Sequence, residues 1–439
     1  MPETKYGSDE DSDDALHSRR EAAVSRLRAW TERQRTSVSD HDSVEQTQIM
    51  EQAVEEGEML LWEALAAFEG DAFQTMKGLP FSYTLKGNEM FVSRKEKSIT
   101  KATVMLAFRN ACEMIRAGES ISGPKKLKTF GASYLYVVFG RVGALPGTSI
   151  LVTGSTGFLG SRVCAYFRQA VSHGPCQAGY RVLAPSHHQL DITNLAQVQA
   201  LFEAEKPDIL IHCAAISDVG ACDLDVEKSY AINVTGVENL AKACKACGTK
   251  MIFCSSDQIY FAAEPHTEAH TEDEPVRPCN TYGRQKLEAE QRTLALCPDA
   301  VCLRLSWLYD TVRLREQEHG NFYVNVQAAL QKDGFCTFPI HDTRGVTYVG
   351  EILEYLPKVF ALPGGVYNYG AENTLCTCEL VRNLFRAVGM DEAAVRPNTQ
   401  AFQGNPRNMA MDGSKARRFG IQFTPTLDAL IRIWQCAGE

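Results

Sequence analysis

The chain has 439 residues, of which 44% are hydrophobic and 23% charged, and its formal net charge is -9. This composition is typical of a globular protein with two or three domains. No apolar run reaches the length that spans a membrane, and the acidic, polar N-terminus is unlike a secretory or mitochondrial leader, so we expect a cytoplasmic protein.

The fifteen cysteines predict neither disulfides nor a metal site, because most lie in apolar segments where a thiol packs as a small hydrophobic group. Cys244 and Cys247 form a CxxC motif, but they lie within a helical pattern that has no second pair of ligands. His266 and His270 lie in a Pro- and Glu-rich loop without a matching third ligand, so we interpret them as surface residues.

Residues 1–42 are charged, serine-rich and poor in large apolar side chains. They predict a mobile tail with one marginal helix at most, over residues 22–35. Apolar residues then recur at helical spacing over residues 44–68, and Gly70 is suited to ending that helix.

A small α+β domain is predicted over residues 43–145. Alternating apolar residues around Lys86-Gly-Asn indicate a hairpin within residues 81–93, and helical patterns follow over residues 98–116 and 123–139. Helix, hairpin, helix and helix in this order are compatible with a winged-helix-like module.

Residues 70–145 are basic, with twelve Lys and Arg against five Asp and Glu, whereas the remainder of the chain has a net charge near -16. The basic side chains in question are Arg94, Lys95, Lys97, Lys101, Lys125, Lys126 and Lys128. Two interpretations are open: a nucleic-acid surface, or a solvated surface that docks on the acidic remainder. We favour the second, because no recognition motif accompanies the charge.

A second domain begins behind the short Pro- and Gly-containing linker at residues 143–147. The stretch from Ser149 to Gly160 is a strand-like apolar run that breaks into three glycines and leads directly into a helical pattern. A buried strand, a turn that permits close backbone approach and a helix N-terminus are what a dinucleotide pyrophosphate needs. No Lys follows the last glycine, so the loop is not of the nucleotide-hydrolysing kind.

Strands and helices alternate beyond this turn. Apolar strand patterns at residues 180–184, 207–215 and 250–256 are separated by helical patterns at residues 196–205 and 229–247. This alternation predicts an α/β fold, a Rossmann-type doubly wound parallel sheet, with the ligand at the carboxyl ends of the strands. We expect this domain to cover residues 148–439, with a smaller C-terminal substrate lobe formed mainly by residues 309–348 and 371–439.

Two features at the carboxyl ends of the strands predict an enzyme. Ser256 ends the strand pattern at 250–256, and Tyr282 and Lys286 share one face of a helix at spacing i, i+4. A cation near a phenol favours the phenolate, so we expect Lys286 to lower the pKa of Tyr282 from about 10. Tyr282 can then exchange the proton of a carbonyl/alcohol pair while a nicotinamide exchanges hydride, and Ser256 can hold the substrate oxygen.

These motifs resemble the extended short-chain dehydrogenase/reductases, and among them the dTDP-4-dehydrorhamnose reductase-like, sugar-nucleotide-binding group that includes the regulatory β subunit of methionine adenosyltransferase. The resemblance runs from residue 149 nearly to the end of the chain and does not cover the N-terminal domain. It implies that Ser256, Tyr282 and Lys286 are the catalytic residues. The cofactor-binding residues that it implies, besides Tyr282 and Lys286, are Gly154, Thr156, Gly157, Phe158, Leu159, Gly160, Asp191, Ile192, Ala214 and Ala215.

The function implied is reduction of a keto group on a nucleotide-linked sugar by NAD(P)H. The second strand ends in residues 184–188 without the acidic residue that would bind an adenosine ribose 2′-OH, so NADP is favoured and NAD stays open. Two alternatives are a non-catalytic NADP(H)-binding regulator, whose basic domain binds nucleic acid or a partner enzyme, and a nucleotide-sugar epimerase. Dehydration is less favoured, because only Asp257 follows the strand-end hydroxyl and Gln258 is neutral. A homodimer is also left open.

Overall fold

The computed structural model describes residues 10–36, 44–75, 79–117, 121, 124–169, 180–262, 267–315, 318 and 320–437. The chain divides into two compact units, one formed by Met1–Ser149 with Phe167–Arg181 and the other by Ile150–Tyr166 with Val182–Glu439. Across the described ranges, no helix combines the length and the apolar character needed to cross a membrane.

The first unit packs four helices with short antiparallel strands. Its elements are α1 (Glu10–Thr36), α2 (Val44–Ala67), β1 (Phe73–Gln74), β2 (Pro80–Phe81), β3 (Tyr83–Lys86), β4 (Glu89–Val92), β5 (Ile99–Thr100), α3 (Lys101–Arg116) and α4 (Ala132–Val142). Strands β3 and β4 form the predicted hairpin, with Gly87 in the left-handed region at φ +60° in its two-residue turn, and β5 pairs with β4.

Helix α1 corrects the prediction of a mobile tail for residues 10–36. Leu27 and Trp30 lie on one face of α1 and are fully buried in the core of the first unit. Helix α2 passes so close to this face that a Cβ on Gly57 would lie 2.4 Å from the Trp30 ring. The composition of α1 is polar overall, but a few apolar residues at spacings of three and four are enough to hold it. Residues 1–9 and 37–42 of the predicted tail lie outside the described residues.

The rest of the chain alternates strands and helices, as predicted. Its elements are β6 (Thr148–Thr153), α5 (Phe158–Gln169), β7 (Tyr180–Leu183), α6 (Leu195–Glu205), β8 (Ile209–His212), α7 (Val219–Leu224), α8 (Val226–Tyr230), α9 (Val237–Cys247), β9 (Lys250–Ser256), α10 (Thr281–Leu296), β10 (Val301–Leu305), β11 (Trp307–Tyr309), α11 (Phe322–Asp333), β12 (Cys336–Pro339), β13 (Asp342–Arg344), β14 (Val346–Tyr348), α12 (Val349–Val359), β15 (Gly365–Tyr369), α13 (Thr377–Ala387), β16 (Val395–Asn398), β17 (Arg407–Met409), α14 (Ser414–Arg417) and α15 (Thr426–Ala437).

Six of these strands form one sheet in the order β15-β10-β9-β8-β6-β7. The pairs from β6 through β15 are parallel, and the side chains of β8 and β10 are buried throughout, as expected of a sheet covered on both faces. The predicted Rossmann-type fold is confirmed. The chain moves from β6 to β7 on one side and then to β8 on the other, so the ligand crevice of such a sheet lies at the carboxyl ends of β6 and β8.

A second hydrophobic core lies beyond the sheet, where the sequence predicts a substrate lobe. Three short parallel pairs, β11 with β14, β12 with β16 and β13 with β17, surround it together with α11, α13 and α15. Tyr309, Phe322 and Phe385 are fully buried there. Strand β15 and helix α12 interrupt the sequence of the lobe, because β15 belongs to the large sheet.

Candidate active site

The glycine turn between β6 and α5 is built by backbone contacts that leave no room for side chains. Gly154 has φ +69°, and a Cβ on it would lie 2.6 Å from the backbone nitrogen of Ala214. A Cβ on Gly160 would lie 2.1 Å from the carbonyl oxygen of Gly154. Gly157 is different, because its Cβ would meet only the Gly154 oxygen, at 3.3 Å. Gly154 and Gly160 thus permit close backbone contacts, and Gly157 leaves the outer face of the turn open to a ligand.

The other predicted cofactor residues surround this turn at the carboxyl edge of the sheet. Their side chains differ in exposure: Thr156 and Asp191 are exposed, Phe158, Leu159, Ala214 and Ala215 are half-buried, and Ile192 is buried. The Asp191 carboxylate accepts hydrogen bonds from the Thr193 nitrogen at 2.9 Å and the Thr193 hydroxyl at 2.7 Å. This carboxylate therefore shapes its own turn, and the residues brought together form an edge along which an extended dinucleotide can lie.

Alanine substitution separates the open glycine from the two packed ones. We expect Gly157→Ala to fold normally but to raise the dissociation constant for the dinucleotide at least about tenfold, or about 1.4 kcal/mol, because its new methyl group lies where the pyrophosphate would approach. Gly160→Ala should lower the melting temperature as well, whereas Gly404→Ala, whose Cβ would meet nothing within 4 Å, should change neither quantity. Thermal unfolding and fluorescence titration measure both effects. Unchanged affinity in Gly157→Ala would contradict this placement of the cofactor.

The end of β7 is linked to the glycine turn without an acidic side chain. The Ser155 hydroxyl donates to the carbonyl oxygens of Ala184, at 3.4 Å, and Pro185, at 3.3 Å. His187 and His188 are exposed, with ring centroids 3.8 Å apart. Two exposed imidazoles therefore lie at this edge. Residues 184–188 contain no carboxylate that would repel a 2′-phosphate.

Ser256, Tyr282 and Lys286 come together beside this edge, and all three side chains are buried. Ser256 is the last residue of β9, and Tyr282 lies in the first turn of α10. Asn280 caps α10 by accepting from the Gly283 nitrogen at 2.6 Å, and a Cβ on Gly283 would lie 2.5 Å from the Gln258 carbonyl oxygen. The helix start therefore packs directly on the chain that leaves β9, which brings Tyr282 close enough to Ser256 for that hydroxyl to influence the pKa of the phenol.

Lys286 points to the backbone and not to the phenol in this structure. Its Nζ donates to the Cys254 carbonyl oxygen at 2.9 Å and lies 5.7 Å from the centroid of the Tyr282 ring. Burial raises the pKa of Tyr282, and the hydrogen bond with Ser256 opposes that rise. The predicted lowering of this pKa is therefore wrong for the cofactor-free site, because desolvation outweighs the charge. Burial also lowers the pKa of Lys286 to about 8.

Asn233 is a positioning residue that the sequence motifs did not indicate. Its side-chain oxygen accepts from the Ile216 nitrogen at 2.9 Å, and its amide donates to the Ile216 carbonyl at 3.0 Å and to Gln285 Oε1 at 2.9 Å. Asn233 is fully buried in a π-helical segment, Ala231–Gly236. It fixes the chain after β8 to the helix that carries Tyr282 and Lys286.

A buried ion pair lies directly behind Ser256. Arg344 Nη2 is 2.7 Å from Asp257 Oδ2, and burial raises the pKa of Asp257 while Arg344 opposes the rise. The Arg344 guanidinium lies 5.2 Å from the Trp307 ring centroid, and its buried Nε has no hydrogen-bond partner among the described residues. The lobe thus presents an arginine to the strand end that carries Ser256.

Arg162, on the helix behind the glycine turn, is a buried residue that no sequence motif marks. Its Nε lies 2.5 Å from Asp310 Oδ2, its Nη1 lies 2.9 Å from Glu318 Oε1, and its Nη2 donates to the Val312 carbonyl oxygen at 2.5 Å. The guanidinium also lies 4.0 Å from the Phe158 ring centroid. The first turn of α5 is therefore tied to the segment after β11.

A buried polar network joins helix α10 to strands β10 and β15 of the large sheet. Arg304 forms an ion pair with Glu290 at 2.8 Å and donates to the Tyr260 hydroxyl at 2.8 Å, which contacts Asn368 Oδ1 at 2.7 Å. His270 stacks on Tyr260 with centroids 4.4 Å apart and is buried, so our interpretation of it as a surface residue is wrong. His266, its predicted counterpart, lies outside the described residues.

The chain is similar in sequence to a known domain family and to known proteins. The model of the RmlD substrate binding domain matches residues 148–434. A dTDP-4-dehydrorhamnose reductase of Mycolicibacterium smegmatis is 31% identical over 250 residues, which cover 56% of this chain and 72% of the relative. The methionine adenosyltransferase 2 subunit beta of Xenopus tropicalis is 30% identical over 292 residues, or 64% of this chain and 85% of the relative.

Solved structures share the fold. A dTDP-4-dehydrorhamnose reductase from Bacillus anthracis, solved in complex with NADP, aligns with a TM-score of 0.57 at 24% identity and covers 66% of this chain and 98% of its own. A Thermus thermophilus UDP-glucose 4-epimerase in complex with NAD aligns with a TM-score of 0.52 at 20% identity, over 65% of this chain and 99% of its own. At these identities the likeness concerns the fold alone.

Proposed function

The chain belongs to the RmlD substrate binding domain family, and from this premise we propose that it is an NADPH-dependent reductase of a keto group on a nucleotide-linked sugar. The sequence resemblance is thereby confirmed at the level of the family. We also assign the chain to the extended short-chain dehydrogenase/reductases. The observation that carries the proposal is the joint burial of Ser256, Tyr282 and Lys286 where the start of α10 packs on the end of β9.

The residues present fit a dinucleotide. The open face of Gly157 suits a pyrophosphate at the N-terminus of α5. By the family resemblance, Asp191 and Ile192 would lie against the adenine. Ala214 and Ala215, just beyond β8, are small enough to let the nicotinamide lie beside Ser256. When bound, the reduced nicotinamide supplies the hydride. NADP is favoured, because no carboxylate at the end of β7 opposes a 2′-phosphate, and the dTDP-4-dehydrorhamnose reductase from B. anthracis was solved with NADP.

Tyr282 is the proton donor in this proposal. Its raised pKa keeps the hydroxyl protonated at neutral pH, so an O–H is available when the carbonyl carbon accepts a hydride. The electron pair of the C=O bond moves to the oxygen, the Tyr282 proton joins it, and an alcohol results. The Ser256 hydroxyl donates to the same oxygen, which orients the carbonyl and polarises it.

Lys286 acts on the tyrosinate that remains. Its ammonium group uses one N–H for the Cys254 carbonyl and has two more to direct at a cofactor ribose or at the active-site oxygens. In a buried site a positive charge several ångströms from the phenol stabilises the phenolate more than it would in water. The charge of Lys286 therefore contributes when the proton leaves, although burial determines the resting pKa of Tyr282.

The rate of reduction should fall above about pH 8. Lys286 has a lowered pKa of about 8, so it is charged below that pH and loses its charge as the pH rises through it, whereas Tyr282 stays protonated to higher pH. We expect kcat/KM to be flat from about pH 6 to 7.5 and to decline on the alkaline side near 8. In Lys286→Arg the alkaline decline should disappear from this range, because arginine stays charged. A decline only near pH 10 in the wild type would contradict the role of Lys286.

The experiment that tests the function is NADPH oxidation with a panel of nucleotide-linked 4-keto sugars, starting with a dTDP-linked one. The expected result is a substrate-dependent loss of absorbance at 340 nm that matches the alcohol formed. Identification of the alcohol also separates reduction from epimerisation, which consumes no NADPH. Tight NADPH binding without turnover of any member of the panel would overturn the proposal.

A second function is favoured by one observation, the 30% identity with a protein named as a subunit of methionine adenosyltransferase. In that case the chain would bind NADP(H) and regulate a partner enzyme without catalysis. The buried Ser256, Tyr282 and Lys286 favour the reductase, since a cofactor sensor has no chemical need of a proton donor. Absence of turnover in the same panel would favour this second function.

A further inference from the structure

Two basic segments of the first unit meet through an aromatic ring, the loop between β4 and β5 and the segment that leads into α4. We call their basic side chains together with Phe130 the basic-aromatic face. Lys95 is half-buried, and the other members are exposed: Arg94, Lys97, Lys125, Lys126, Lys128 and Phe130. Lys95 Nζ lies 3.5 Å from the Phe130 ring centroid and Lys97 Nζ lies 5.6 Å from it, so the ring joins the two segments.

Among the described residues of the first unit, the positive charge of this face has no acidic partner. Other basic residues of the same region are paired, since Arg109 lies 2.5 Å from Glu58 and Arg141 lies 3.9 Å from Asp71. In the described part of the chain, no cation of the basic-aromatic face forms an ion pair with an acidic side chain, although Glu96 lies in the same loop. The expected pairing of basic residues with acidic ones thus holds for Arg109 and Arg141, but not for the basic-aromatic face.

The cations are held close together in spite of their repulsion. Partial burial and the neighbouring charge of Lys97 lower the pKa of Lys95. Lys128 has φ +51°, in the left-handed region that lysine seldom adopts. A phosphate between these ammonium groups would reduce their mutual repulsion. Such an excess of positive charge favours the binding of a polyanion.

The aromatic rings beside the lysines indicate which kind of polyanion this face binds. Phe130 is 48% exposed, and Tyr134, also beneath Lys95 at 5.6 Å, is half-buried. Exposed rings interleaved with cations are typical of surfaces on which the bases of a single strand stack while the phosphates meet the lysines. An acidic peptide has phosphate-like charge but no base to stack.

The helix that a winged-helix module would insert into a groove lacks the side chains for it. The exposed positions of α3 are Ala102, Leu106, Arg109 and Glu113, and Arg109 is already bound to Glu58. The basic groups lie on a loop and a 3₁₀ turn, Pro124–Leu127, instead. This arrangement supports contacts to a flexible backbone and no reading of base edges in a duplex.

We propose that the basic-aromatic face binds single-stranded nucleic acid without sequence preference, with phosphates on the lysines and bases on Phe130. This binding goes beyond the proposed reductase function and depends on none of its residues.

The test uses the full-length chain and a fluorescein-labelled oligothymidylate of about twenty nucleotides, followed by anisotropy from about 25 to 300 mM salt. Wild type should bind at low salt with a steep salt dependence. Lys95→Ala/Lys97→Ala should reduce the slope of log K against log salt by about 1.4, which is two phosphate contacts at about 0.7 each. Phe130→Ala should weaken binding about tenfold with the slope unchanged.

The matched control removes two exposed lysines from the second unit, Lys245→Ala/Lys332→Ala, and should bind like wild type. Melting temperatures and NADPH binding verify that every variant is folded. Three outcomes would each overturn the proposal: no binding at about 25 mM salt, equal weakening in the control, or equal competition by polyglutamate and by duplex DNA of the same length. A variant that loses nucleic-acid binding but still reduces the keto sugar would show that the two functions are independent. The nucleic-acid proposal and the reductase proposal can therefore be refuted separately.

Discussion

Tyr282→Phe is expected to bind NADPH as tightly as wild type and to reduce the keto sugar about 10³-fold more slowly, because a general acid contributes about 10²- to 10⁴-fold to such a reaction. The phenyl ring keeps the packing of a side chain that is only 7% exposed, and the change removes the hydroxyl alone. Ser256 keeps its hydrogen bonds to the Asp257 carboxylate at 3.3 Å and from the Gln258 nitrogen at 3.2 Å. Steady-state kinetics and NADPH titration measure the two quantities separately.

The matched control is Tyr355→Phe, which removes a hydroxyl that donates to the Gln422 carbonyl at 2.8 Å outside the site. It should leave kcat and KM near the wild-type values. Ser256→Ala should lower kcat less than Tyr282→Phe, because the proton donor is still present. If Tyr282→Phe retained more than about a tenth of the wild-type rate, another group would have to deliver the proton.

Arg304→Ala is expected to lower the free energy of unfolding of the second unit by about 3–5 kcal/mol, because it leaves a buried carboxylate without its partner. Glu290 is 2% exposed and receives its hydrogen bonds from the Arg304 guanidinium, at 2.8 to 3.3 Å. The substitution also removes the donor to Tyr260, whose hydroxyl is buried. Denaturant unfolding, followed by a probe in the second unit, gives the free energy.

Arg386→Ala is the control for this prediction, since it breaks an ion pair of 2.5 Å whose side chains are 66% and 48% exposed. Exposed pairs contribute about 0–1 kcal/mol, so its stability should stay within that range. The double variant Arg304→Met/Glu290→Leu removes both charges and should recover most of the loss. Equal costs for Arg304→Ala and Arg386→Ala would show that burial does not govern the pair.

The features predicted from the sequence are those carried by short stretches with fixed spacing. The glycine turn, the alternating strands and the shared helical face of Tyr282 and Lys286 are local patterns, and the parallel sheet then brings the strand ends to one edge. Ser256 lies at one of these strand ends, and the start of α10 with Tyr282 packs against the chain that follows it, although 26 positions separate the two residues in the sequence. The catalytic roles themselves stay predictions until the variants are measured.

The features missed depend on burial and on long-range contacts. Asp257 and Arg344 are 87 positions apart, and no local pattern pairs them. The direction of the Tyr282 pKa depends on how deeply the phenol is buried, which the i, i+4 spacing does not reveal. The extent and order of helix α1 were underestimated, because its composition is polar and the burial of Leu27 and Trp30 is not visible in the sequence.

The contacts of Arg162 have a thermodynamic consequence for the order in which ligands are held. Arg162 donates to the Phe158 carbonyl oxygen in the first turn of α5 and is also bound to Asp310, Val312 and Glu318 at the border of the substrate lobe. In the proposed complex that turn would face the pyrophosphate, and a ligand that orders one end of the linkage would lower the free energy needed to order the other. Because such coupling is reciprocal, the proposed dinucleotide and sugar nucleotide would raise each other's affinity by the same factor.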